Sequence, residues 1–306
     1  MKILITGGAG FIGSHIAEHF QDKAEIVILD SLRSGYKSNL DNLRCEFIEG
    51  DIRDRAAVRR AMQGVDYVFH LAALISVPES MEKIAECVDI NINGLITVYE
   101  DAAAAGVKKL CFSTSAAIYG DNPIVPKVEA MLPEPKSPYA ITKLDGEYYA
   151  EMFSKLGKLQ VACLRYFNVF GPRQDPGSAY AAAVPIFIER ALRNAPITVY
   201  GDGEQTRDFI YVKDIVAANV FMAMSDFTGV FNVAYGGRQT INELVNTIVK
   251  LTGSESKITY AEERAGDVKH SMADVSKLAS TGFTPGFTFA EGLAATIEYF
   301  KSKHNK

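Results

Sequence analysis

A tyrosine and a lysine four positions apart are the residues of this sequence best suited to chemistry. Tyr139 and Lys143 lie in the segment SPYAITK, where Pro138 favours the first turn of a helix. Side chains at positions i and i+4 of a helix lie on one face. An ammonium beside a phenol stabilises the phenolate and lowers the tyrosine pKa from its usual value of about 10. We therefore predict that this pair exchanges a proton with a bound substrate near neutral pH.

A glycine-rich turn near the start of the chain has the spacing of a dinucleotide-binding loop. Gly7, Gly10 and Gly13 follow the apolar run KILIT, and an amphipathic helical pattern covers Phe11–Phe20. The glycines permit a tight turn and let the backbone approach a pyrophosphate, while the amides and dipole of the helix N-terminus attract the anion. Because strand, glycine turn and helix follow in the order that the motif requires, we predict a dinucleotide cofactor.

The residue that ends the second predicted strand indicates which dinucleotide is bound. Asp30 closes the run EIVILD, 23 residues after Gly7. A carboxylate at this position accepts hydrogen bonds from the adenosine ribose and repels a 2′-phosphate. The sequence therefore predicts NAD rather than NADP, although Arg33 lies close to Asp30 and slightly weakens the argument.

Further candidates stand at the ends of other predicted strands, because ligands of open parallel sheets bind beyond the carboxyl ends of the strands. Asp51 and Ile52 end the third strand and are expected at the adenine end of the cofactor. A helix cap is an equally good interpretation of Asp51. Leu71, Ala72 and Ala73 end the fourth strand, where small residues let a cofactor lie close.

Polar residues in the segments that follow complete this set. Ser76 and Val77 lie in the loop after the fourth strand and are expected to face a ligand. Asn91 lies in the helical segment DININGL; a buried amide needs partners, so it either ties helix to strand or contacts the cofactor. Ser113 and Ser115 end the fifth strand. Ser115 is predicted to hydrogen-bond the reacting hydroxyl beside the phenol, and strand-end capping, by Ser113 above all, is the alternative.

The elements that must position these residues alternate through the first half of the chain. Strand-like runs are KILIT, EIVILD, CEFIEG, DYVFHLAA, KLCFSTS and QVACLRYF. Helical patterns fall between them at Phe11–Phe20, Asp54–Met62, Glu82–Ala105 and Pro138–Leu156. This alternation predicts an α/β fold with a Rossmann-type, doubly wound parallel sheet.

The rhythm changes after Asn168, where proline, glycine and aromatic residues precede short strands and helices without strict alternation. We predict a smaller α/β C-terminal substrate lobe there, with the chain returning to the large domain near Asp208–Ala234. The expected division is a cofactor domain of residues 1–168 plus about 205–238, and a lobe of residues 169–204 plus 239–306.

Composition excludes several classes of function. The chain has 306 residues, a net charge of −5 and no basic run, so no nucleic-acid partner is expected. No apolar run reaches membrane-spanning length, and no signal peptide is predicted before the first strand. Four well-separated cysteines without a CxxC pair predict buried free thiols, a reducing, cytoplasmic location and no metal site.

Six segments together resemble the extended short-chain dehydrogenase/reductase family, and more narrowly its nucleotide-sugar 4-epimerases. They are TGGAGFIGSH, STSAAIYG, SPYAITK, RYFNVFGPRQDP, VYGDGEQTRDFIYV and RAGDVKHS. The resemblance runs nearly from end to end. It implies tightly held NAD, a UDP-sugar substrate, and a homodimer whose four-helix interface would come from the helices of Glu82–Ala105 and Pro138–Leu156.

The resemblance also implies residue roles in this sequence. Positions matching cofactor contacts are Gly7, Gly10, Phe11, Ile12, Asp30, Asp51, Ile52, Ala72, Tyr139, Lys143 and Tyr166. Ser115 matches the hydroxyl partner of the catalytic tyrosine. Predicted contacts of the UDP-sugar are Asn168, Val184, Val199, Tyr200, Arg207, Arg264, Asp267 and Ser271. The two arginines can fork onto diphosphate oxygens, Asp267 can accept from a ribose hydroxyl and Tyr200 can flank uracil.

Two positions indicate which chemistry follows oxidation at the sugar C4. Related 4,6-dehydratases carry an acidic pair where this chain has Ala116 and Ala117, and related decarboxylases carry a glutamate at the second of these positions. Alanine can do neither job, so the sequence predicts return of the hydride and proton after the 4-keto sugar has turned, which inverts C4. Ser271, where glucose-restricted relatives have tyrosine, leaves room for a 2-acetamido group. We therefore predict activity on UDP-GlcNAc and UDP-GalNAc, with UDP-Glc and UDP-Gal as further substrates.

Two other classes stay open at this point. One is another UDP-sugar enzyme on the same scaffold, a dehydratase, decarboxylase or reductase. The other is a non-enzymatic NAD-sensing binder. Binders of this kind usually lack the tyrosine and lysine couple, which this sequence keeps.

Overall fold

The computed structural model describes residues 1–177, 182–263 and 269–304. The strands within these ranges are β1 Lys2–Thr6, β2 Glu25–Asp30, β3 Glu46–Glu49, β4 Tyr67–His70, β5 Lys109–Ser115, β6 Val161–Tyr166, β7 Val169–Phe170, β8 Ile197–Tyr200, β9 Thr206–Arg207, β10 Ile210–Tyr211, β11 Gly229–Val233, β12 Gln239–Thr240 and β13 Ile258–Ala261.

The helices within the same ranges are α1 Phe11–Phe20, α2 Arg55–Ala61, α3 Val77–Glu82, α4 Ile84–Val88, α5 Leu95–Ala104, α6 Pro138–Lys155, α7 Ala183–Leu192, α8 Val212–Met224, α9 Ile241–Thr252, α10 Ser276–Ala279 and α11 Phe289–His304. Short 3-10 turns cover Lys37–Leu40 and Ala116–Tyr119, and a π-helical segment, Asp89–Gly94, joins α4 to α5.

Seven parallel strands form the central sheet, in the order β11, β6, β5, β4, β1, β2, β3. The order reverses direction between β1 and β4, which is the switch point where ligands of doubly wound sheets bind. The strands of KILIT and VACLRY are buried along almost their whole length, as expected for a parallel sheet covered on both faces. The predicted α/β, doubly wound parallel fold is confirmed.

Two apolar cores lie on the two faces of this sheet. One includes Val98 and Tyr99 of α5 and Phe153 of α6, and the other includes Ile16 of α1 and Met222 of α8. Helices α5 and α6 therefore cover one face, and α1 and α8 cover the other. Helix α6, which carries the predicted catalytic pair, is fixed to β5 and β6 through the first of these cores.

The remaining strands form two-stranded pairs: β10 with β7, β12 with β9, and β13 with β8. A third apolar core joins α7, α9 and α11, with Val184, Leu244 and Leu293 among its buried side chains. This part of the chain is the smaller α/β unit expected after Asn168. Residues 229–233 form the edge strand of the large sheet, so the chain returns to the cofactor-binding sheet after β10.

One predicted helix differs from the structure. The single helical pattern Glu82–Ala105 is interrupted at Lys83 and by the π-helical segment before α5. Lys83 has φ −122° and ψ 56°, outside the helical region, so hydrophobic spacing alone could not place this break.

The prediction that every cysteine is buried is wrong for Cys45, which is half-buried; all four cysteines are free thiols. No helix within the described ranges is long and apolar enough to cross a bilayer.

Candidate active site

The first turns of α6 hold the predicted catalytic pair. Ser137 caps the helix by accepting a hydrogen bond from the Ala140 amide at 3.2 Å, and Pro138 occupies its first position. Tyr139 is half-buried and Lys143 is buried, one turn further along the same face. Both side chains lie on one face of α6, as their i, i+4 spacing predicts. This face is next to the carboxyl end of β5, where Lys143 bonds the Ser113 carbonyl.

The Lys143 ammonium is held against the end of β5. Its Nζ donates to the Ser113 carbonyl at 2.7 Å and lies 4.9 Å from the centroid of the Phe112 ring. Burial lowers the pKa of Lys143 to about 8, although the nearby Glu147 carboxylate acts to raise it. The group therefore lies near its titration point at neutral pH, where small changes in surrounding charge alter its protonation.

The direction of the Tyr139 pKa shift differs from the prediction. Packing around the phenol raises the pKa of Tyr139, and the Ser115 hydroxyl offsets this only in part. Lys143 Nζ lies 5.8 Å from the centroid of the Tyr139 ring and is bonded to the Ser113 carbonyl instead. The predicted lowering is therefore wrong for the protein chain by itself, because desolvation of the phenolate outweighs the ammonium at this distance.

Ser115 both caps a turn and faces the phenol. Its Oγ accepts a hydrogen bond from the Ala117 amide at 3.1 Å, which starts the turn Ala116–Tyr119. The same hydroxyl lowers the pKa of Tyr139. Capping was expected of Ser113, whose hydroxyl instead faces Tyr166 and lowers the pKa of that phenol.

No carboxylate among the described residues is close enough to shift the pKa of Tyr139. The groups that do so are Ser115 and Cys87. Ala116 and Ala117 follow Ser115 directly. Glu147, a buried carboxylate further along α6, is bonded to Arg165 and to Thr114 on β5. The site therefore offers one acid–base couple beside the phenol.

The Asn91 side chain joins two parts of the fold by hydrogen bonds, which is the first of the two interpretations given for it above. Its Oδ1 accepts from the Leu74 amide at 2.7 Å, and its Nδ2 donates to the Leu74 carbonyl at 3.1 Å and to Thr142 Oγ1 at 3.0 Å. Thr142 in turn donates to the Tyr139 carbonyl. Asn91 thus joins the loop after β4 to the helix that carries the catalytic pair, and a cofactor contact of its side chain stays a prediction.

The glycine turn leaves room only for glycine at two of its positions. Gly7 has φ +72°, and a Cβ there would lie 2.8 Å from the Ala72 nitrogen. A Cβ on Gly13 would lie 2.3 Å from the Gly7 carbonyl oxygen. Gly10 N donates to the Gly7 carbonyl, which closes the turn at the start of α1.

The start of α1 is ready to bind an anion. Within the described ranges, no residue accepts a hydrogen bond from the amides of Phe11 or Ile12, and no acidic residue lies in the first turn. Amides left unpaired at a helix N-terminus, next to a glycine turn, suit a pyrophosphate. The turn therefore fits the dinucleotide that the sequence predicts.

Asp30 sits at the carboxyl end of β2, next to the glycine turn. Its carboxylate accepts hydrogen bonds from the amides of Ala9 at 2.9 Å and Leu32 at 2.8 Å. Burial raises the pKa of Asp30 while these two amides lower it. The amides fix the carboxylate and leave it acceptor capacity for ribose hydroxyls.

Asp51 does not cap the helix that follows it, so that alternative is wrong. Asp54 is the N-cap of α2, and its side chain accepts from the Ala56 amide at 2.9 Å. Asp51 instead pairs with Arg53, Oδ2 to Nη2, at 2.6 Å. Ile52 is buried beside Gly94, whose space it restricts. Asp51 remains a predicted contact of the cofactor.

The predicted substrate residues divide into three groups in the structure. Arg207 on β9 and Ser271 lie on adjacent stretches, since the Ser271 amide donates to the Thr206 carbonyl at 3.0 Å. Tyr200 ends β8 with 37% of its surface exposed. The side chains of Val184 and Val199 are buried in the lobe core. Arg264 and Asp267 lie outside the described residues.

Six further predicted residues follow the strands β4 and β6. Asn168 follows β6, and its Nδ2 donates to the Asp208 carbonyl at 3.2 Å. Ser76 is the N-cap of α3, accepting from the Glu79 amide at 3.1 Å, and Val77 begins that helix with 40% of its surface exposed. Leu71, Ala72 and Ala73 are each partly exposed after β4, and the backbone of Leu71 and Ala72 packs closely against Gly7.

Sequence reasoning missed two buried carboxylates. Glu147 on α6 pairs with Arg165 on β6 at 2.6 Å, and both side chains are 4% exposed. Its signal was the position four residues after Lys143, on the same helix face. Asp208 accepts from the amides of Tyr235 and Ala273, each at 3.0 Å, and burial raises its pKa to about 6. No local pattern announces Asp208, because its partners are distant along the chain.

The fold and the site together define a short-chain dehydrogenase/reductase, with a dinucleotide turn at β1 and a tyrosine and lysine couple at the end of β5. Residues 3–234 match the model of the NAD dependent epimerase/dehydratase family. The chain belongs to this family and to its extended nucleotide-sugar branch, is an enzyme, and uses NAD.

Similar proteins point to related but distinct activities. A solved UDP-N-acetylglucosamine 4-epimerase from Methanobrevibacter ruminantium M1, in complex with UDP-N-acetylmuramic acid, is 43% identical, with a TM-score of 0.95 over 99% of this chain and 98% of that one. A putative UDP-glucose 4-epimerase of Methanocaldococcus jannaschii is 36% identical over 99% of both chains. A UDP-N-acetyl-alpha-D-glucosaminuronate decarboxylase of Bacillus cytotoxicus is 33% identical, again over 99% of both.

Proposed function

We propose that this enzyme is a UDP-sugar 4-epimerase that interconverts UDP-GlcNAc with UDP-GalNAc and UDP-Glc with UDP-Gal. The observation that carries the proposal is the surroundings of Tyr139. Ser115 and Lys143 flank it, Ala116 and Ala117 follow Ser115, and no carboxylate within the described ranges shifts its pKa. The names of the similar epimerases agree with this assignment.

The residues of the chain would divide the work as follows. The glycine turn with Phe11, Ile12 and Asp30 would hold NAD, which supplies reversible hydride acceptance from C4. Tyr139 takes the proton of the 4-hydroxyl and gives it back, and Ser115 hydrogen-bonds the same hydroxyl. The ammonium of Lys143, 5.8 Å from the centroid of the Tyr139 ring, would favour the phenolate that this transfer requires, against the desolvation that raises the Tyr139 pKa. Because no carboxylate within the described ranges acts on the phenol, the chain offers no second acid there to promote elimination. Return of the hydride to the face of the ketone opposite the one it left, with return of the proton to the oxygen, gives the C4 epimer.

The main rival within the family is a decarboxylase, the activity named for the Bacillus cytotoxicus relative. Incubating the enzyme with UDP-GlcNAc, UDP-Glc and their uronic acids, with product analysis by mass and NMR, separates the two. Interconversion without change of mass supports the epimerase. Release of carbon dioxide from a uronic acid, without epimerisation of the neutral sugars, would replace this proposal by the rival.

Ser271 is the proposed determinant of substrate breadth. The stretch that carries it is placed by the pairing of its neighbours Met272 and Asp274 with Lys127, through backbone hydrogen bonds of 2.8 Å each. The pairing holds the stretch that carries Ser271 next to the segment that follows the turn Ala116–Tyr119. That turn comes directly after β5, which ends at Ser115. A serine here leaves the volume of a phenol ring free for a 2-acetamido group.

We expect Ser271→Tyr to lower kcat/KM for UDP-GlcNAc about 10- to 200-fold while leaving that for UDP-Glc within about threefold, since a steric change in a pocket is worth about 1–3 kcal/mol. Steady-state assays with both substrates measure the ratio. Ser271→Ala is the matched control and should leave the ratio unchanged. Equal losses on both substrates in Ser271→Tyr would remove the size argument.

We also propose a homodimer whose interface is formed by α4, α5 and α6. Large apolar side chains are exposed there, between 42% and 59%, at Ile84, Val88, Ile141, Met152 and Leu156. A groove of about 380 Å³ lies beside them, between Ile96 on α5 and Tyr149 on α6. Exposed apolar side chains concentrated on α4 and α6, beside an apolar groove that Met152 also lines, suit a protein interface.

The dimer proposal is tested by light scattering at micromolar concentration. We expect a mass near twice the 33.4 kDa of one chain, and a shift to one chain for Met152→Glu, because a buried charge without a partner costs several kcal/mol. Leu251→Glu, at an apolar side chain 42% exposed on α9, is the control and should leave the mass unchanged. A single-chain mass for the unmodified protein would contradict the proposal.

The division into a cofactor domain and a UDP-sugar lobe, at the boundaries given above, belongs to the same proposal. So do UDP contacts of Tyr200, Arg207, Arg264 and Asp267.

A further inference from the structure

The loop after β2 carries an arginine close to the carboxylate expected to bind the adenosine ribose. Arg33 lies three residues after Asp30, and between them Leu32 adopts a left-handed φ of 56° while its amide bonds Asp30. In dinucleotide-binding folds an arginine in this region accommodates the 2′-phosphate of NADP. Arg33 is therefore placed where it could oppose the selectivity that Asp30 supplies.

Two glutamates occupy the Arg33 guanidinium. Nη1 donates to Glu86 at 2.5 Å, and Nη2 donates to Glu79 at 2.8 Å. The three side chains are only 27% to 35% exposed, so water screens the pairs less than it would on an open surface. Glu79 lies on α3 and Glu86 on α4, so both carboxylates are attached to helices rather than to the loop. Both terminal nitrogens of the guanidinium thus already donate to carboxylates, and a phosphate would have to compete with two negative charges for them.

The other arginine of this region is occupied in the same way. Arg53 donates to Asp51 at 2.6 Å and to Asp89 at 2.7 Å. The charge of Arg33 also lowers the pKa of Asp51, so the two clusters are neighbours. Carboxylates outnumber cations in this group, which comprises Asp30, Asp51, Glu79, Glu86 and Asp89 against Arg33, Arg53 and Lys83. A phosphate dianion would be repelled here.

We propose that Glu79 and Glu86 are specificity-determining residues for the cofactor, because they keep Arg33 from a 2′-phosphate. To recruit Arg33, NADP would have to break two ion pairs, which would leave Glu79 with Lys83 alone and take from Glu86 its bond to Arg33, both beside the added phosphate. NAD requires no such rearrangement. Asp30 therefore acts together with a second selectivity element, the Arg33, Glu79 and Glu86 cluster.

The test uses Glu79→Gln/Glu86→Gln and the same protein with Arg33→Ala added. Calorimetric titration of nucleotide-free protein with NADP and with NAD measures binding directly. We expect the double variant to bind NADP at least about tenfold more tightly than the unmodified protein, and the added Arg33→Ala to abolish that gain. NAD affinity should stay within about threefold in both variants. Glu82→Gln changes an exposed glutamate on α3 whose side chain forms no hydrogen bond or ion pair within the described ranges, and it should change neither affinity.

The added Arg33→Ala distinguishes an effect of Arg33 on NADP binding from an effect of Lys83. Lys83 also forms an ion pair with Glu79 and loses that partner in the double variant. The inference is overturned if the double variant binds NADP no better, or if the gain persists without Arg33. It is also overturned if NAD affinity falls by as much as NADP affinity rises, which would mean a structural role for the pairs. Because the readout is binding rather than turnover, the outcome is independent of which UDP-sugar reaction the enzyme catalyses.

Discussion

Replacing Tyr139 by phenylalanine should lower kcat for UDP-sugar epimerisation about 10²- to 10⁴-fold, the usual contribution of a positioned proton donor and acceptor. The change removes one oxygen and keeps the ring that packs against the core around α6. The Ser115 hydroxyl then faces a carbon atom instead of the phenol. KM should change much less than kcat, because the hydroxyl acts in the proton transfer rather than in holding the UDP.

The control for this variant is Tyr148→Phe. Tyr148 lies on the same helix, and 57% of its surface is exposed. It should keep full activity, and both variants should retain NAD, measured as nucleotide released on denaturation. Activity of Tyr139→Phe within a few-fold of the unmodified enzyme would mean that another group transfers the proton.

The second prediction with a large expected effect concerns the stability of the fold, which depends on the buried ion pair between Glu147 on α6 and Arg165 on β6. Glu147 accepts two hydrogen bonds from Arg165, at 2.6 and 2.9 Å, and one from Thr114 at 2.8 Å. Glu147→Gln removes the charge that compensates Arg165. Breaking a buried pair in this way costs about 3–5 kcal/mol, because it leaves a buried charge unpaired. We expect a clear fall in the urea midpoint of unfolding at pH 7.

Two comparisons make this prediction specific. Glu151→Gln breaks an exposed pair with Lys155 on the same helix, where the side chains are 58% and 75% exposed, and should cost about 0.5 kcal/mol or less. Replacing both buried partners, as Glu147→Met/Arg165→Leu, should cost less than Glu147→Gln, since no charge is left unpaired. Equal midpoints for the two glutamine variants would show that the buried pair does not stabilise the fold.

Local signals were enough to predict the elements that carry the chemistry. The bounds of α1, Phe11–Phe20, follow from a glycine turn and an amphipathic pattern that both depend on neighbouring residues. The same holds for the start of α6, where Ser137 and Pro138 provide a cap and a first turn. Each of these signals lies in one short continuous stretch of the chain, so the sequence contains it completely.

What the sequence did not reveal depends on contacts between distant segments. Arg165 looks like an ordinary surface charge until β6 is placed beside α6, where it meets Glu147. The direction of the Tyr139 pKa shift likewise depends on how deeply the phenol is packed, which spacing along a helix does not report. Arg33 appeared to weaken the argument for NAD, and only the fold brings Glu79 and Glu86 to its guanidinium.

The most direct test of the single acid–base couple is to follow UDP-GlcNAc and UDP-Glc with the enzyme in D₂O by NMR and mass spectrometry. The account predicts that each sugar approaches equilibrium with its C4 epimer, that the mass is unchanged and that no deuterium enters any carbon-bound position. The hydrogen that leaves C4 is the one that returns, and only exchangeable protons pass through Tyr139. Deuterium at C5, or a product lighter by water, would contradict it, because both require a second acid–base group.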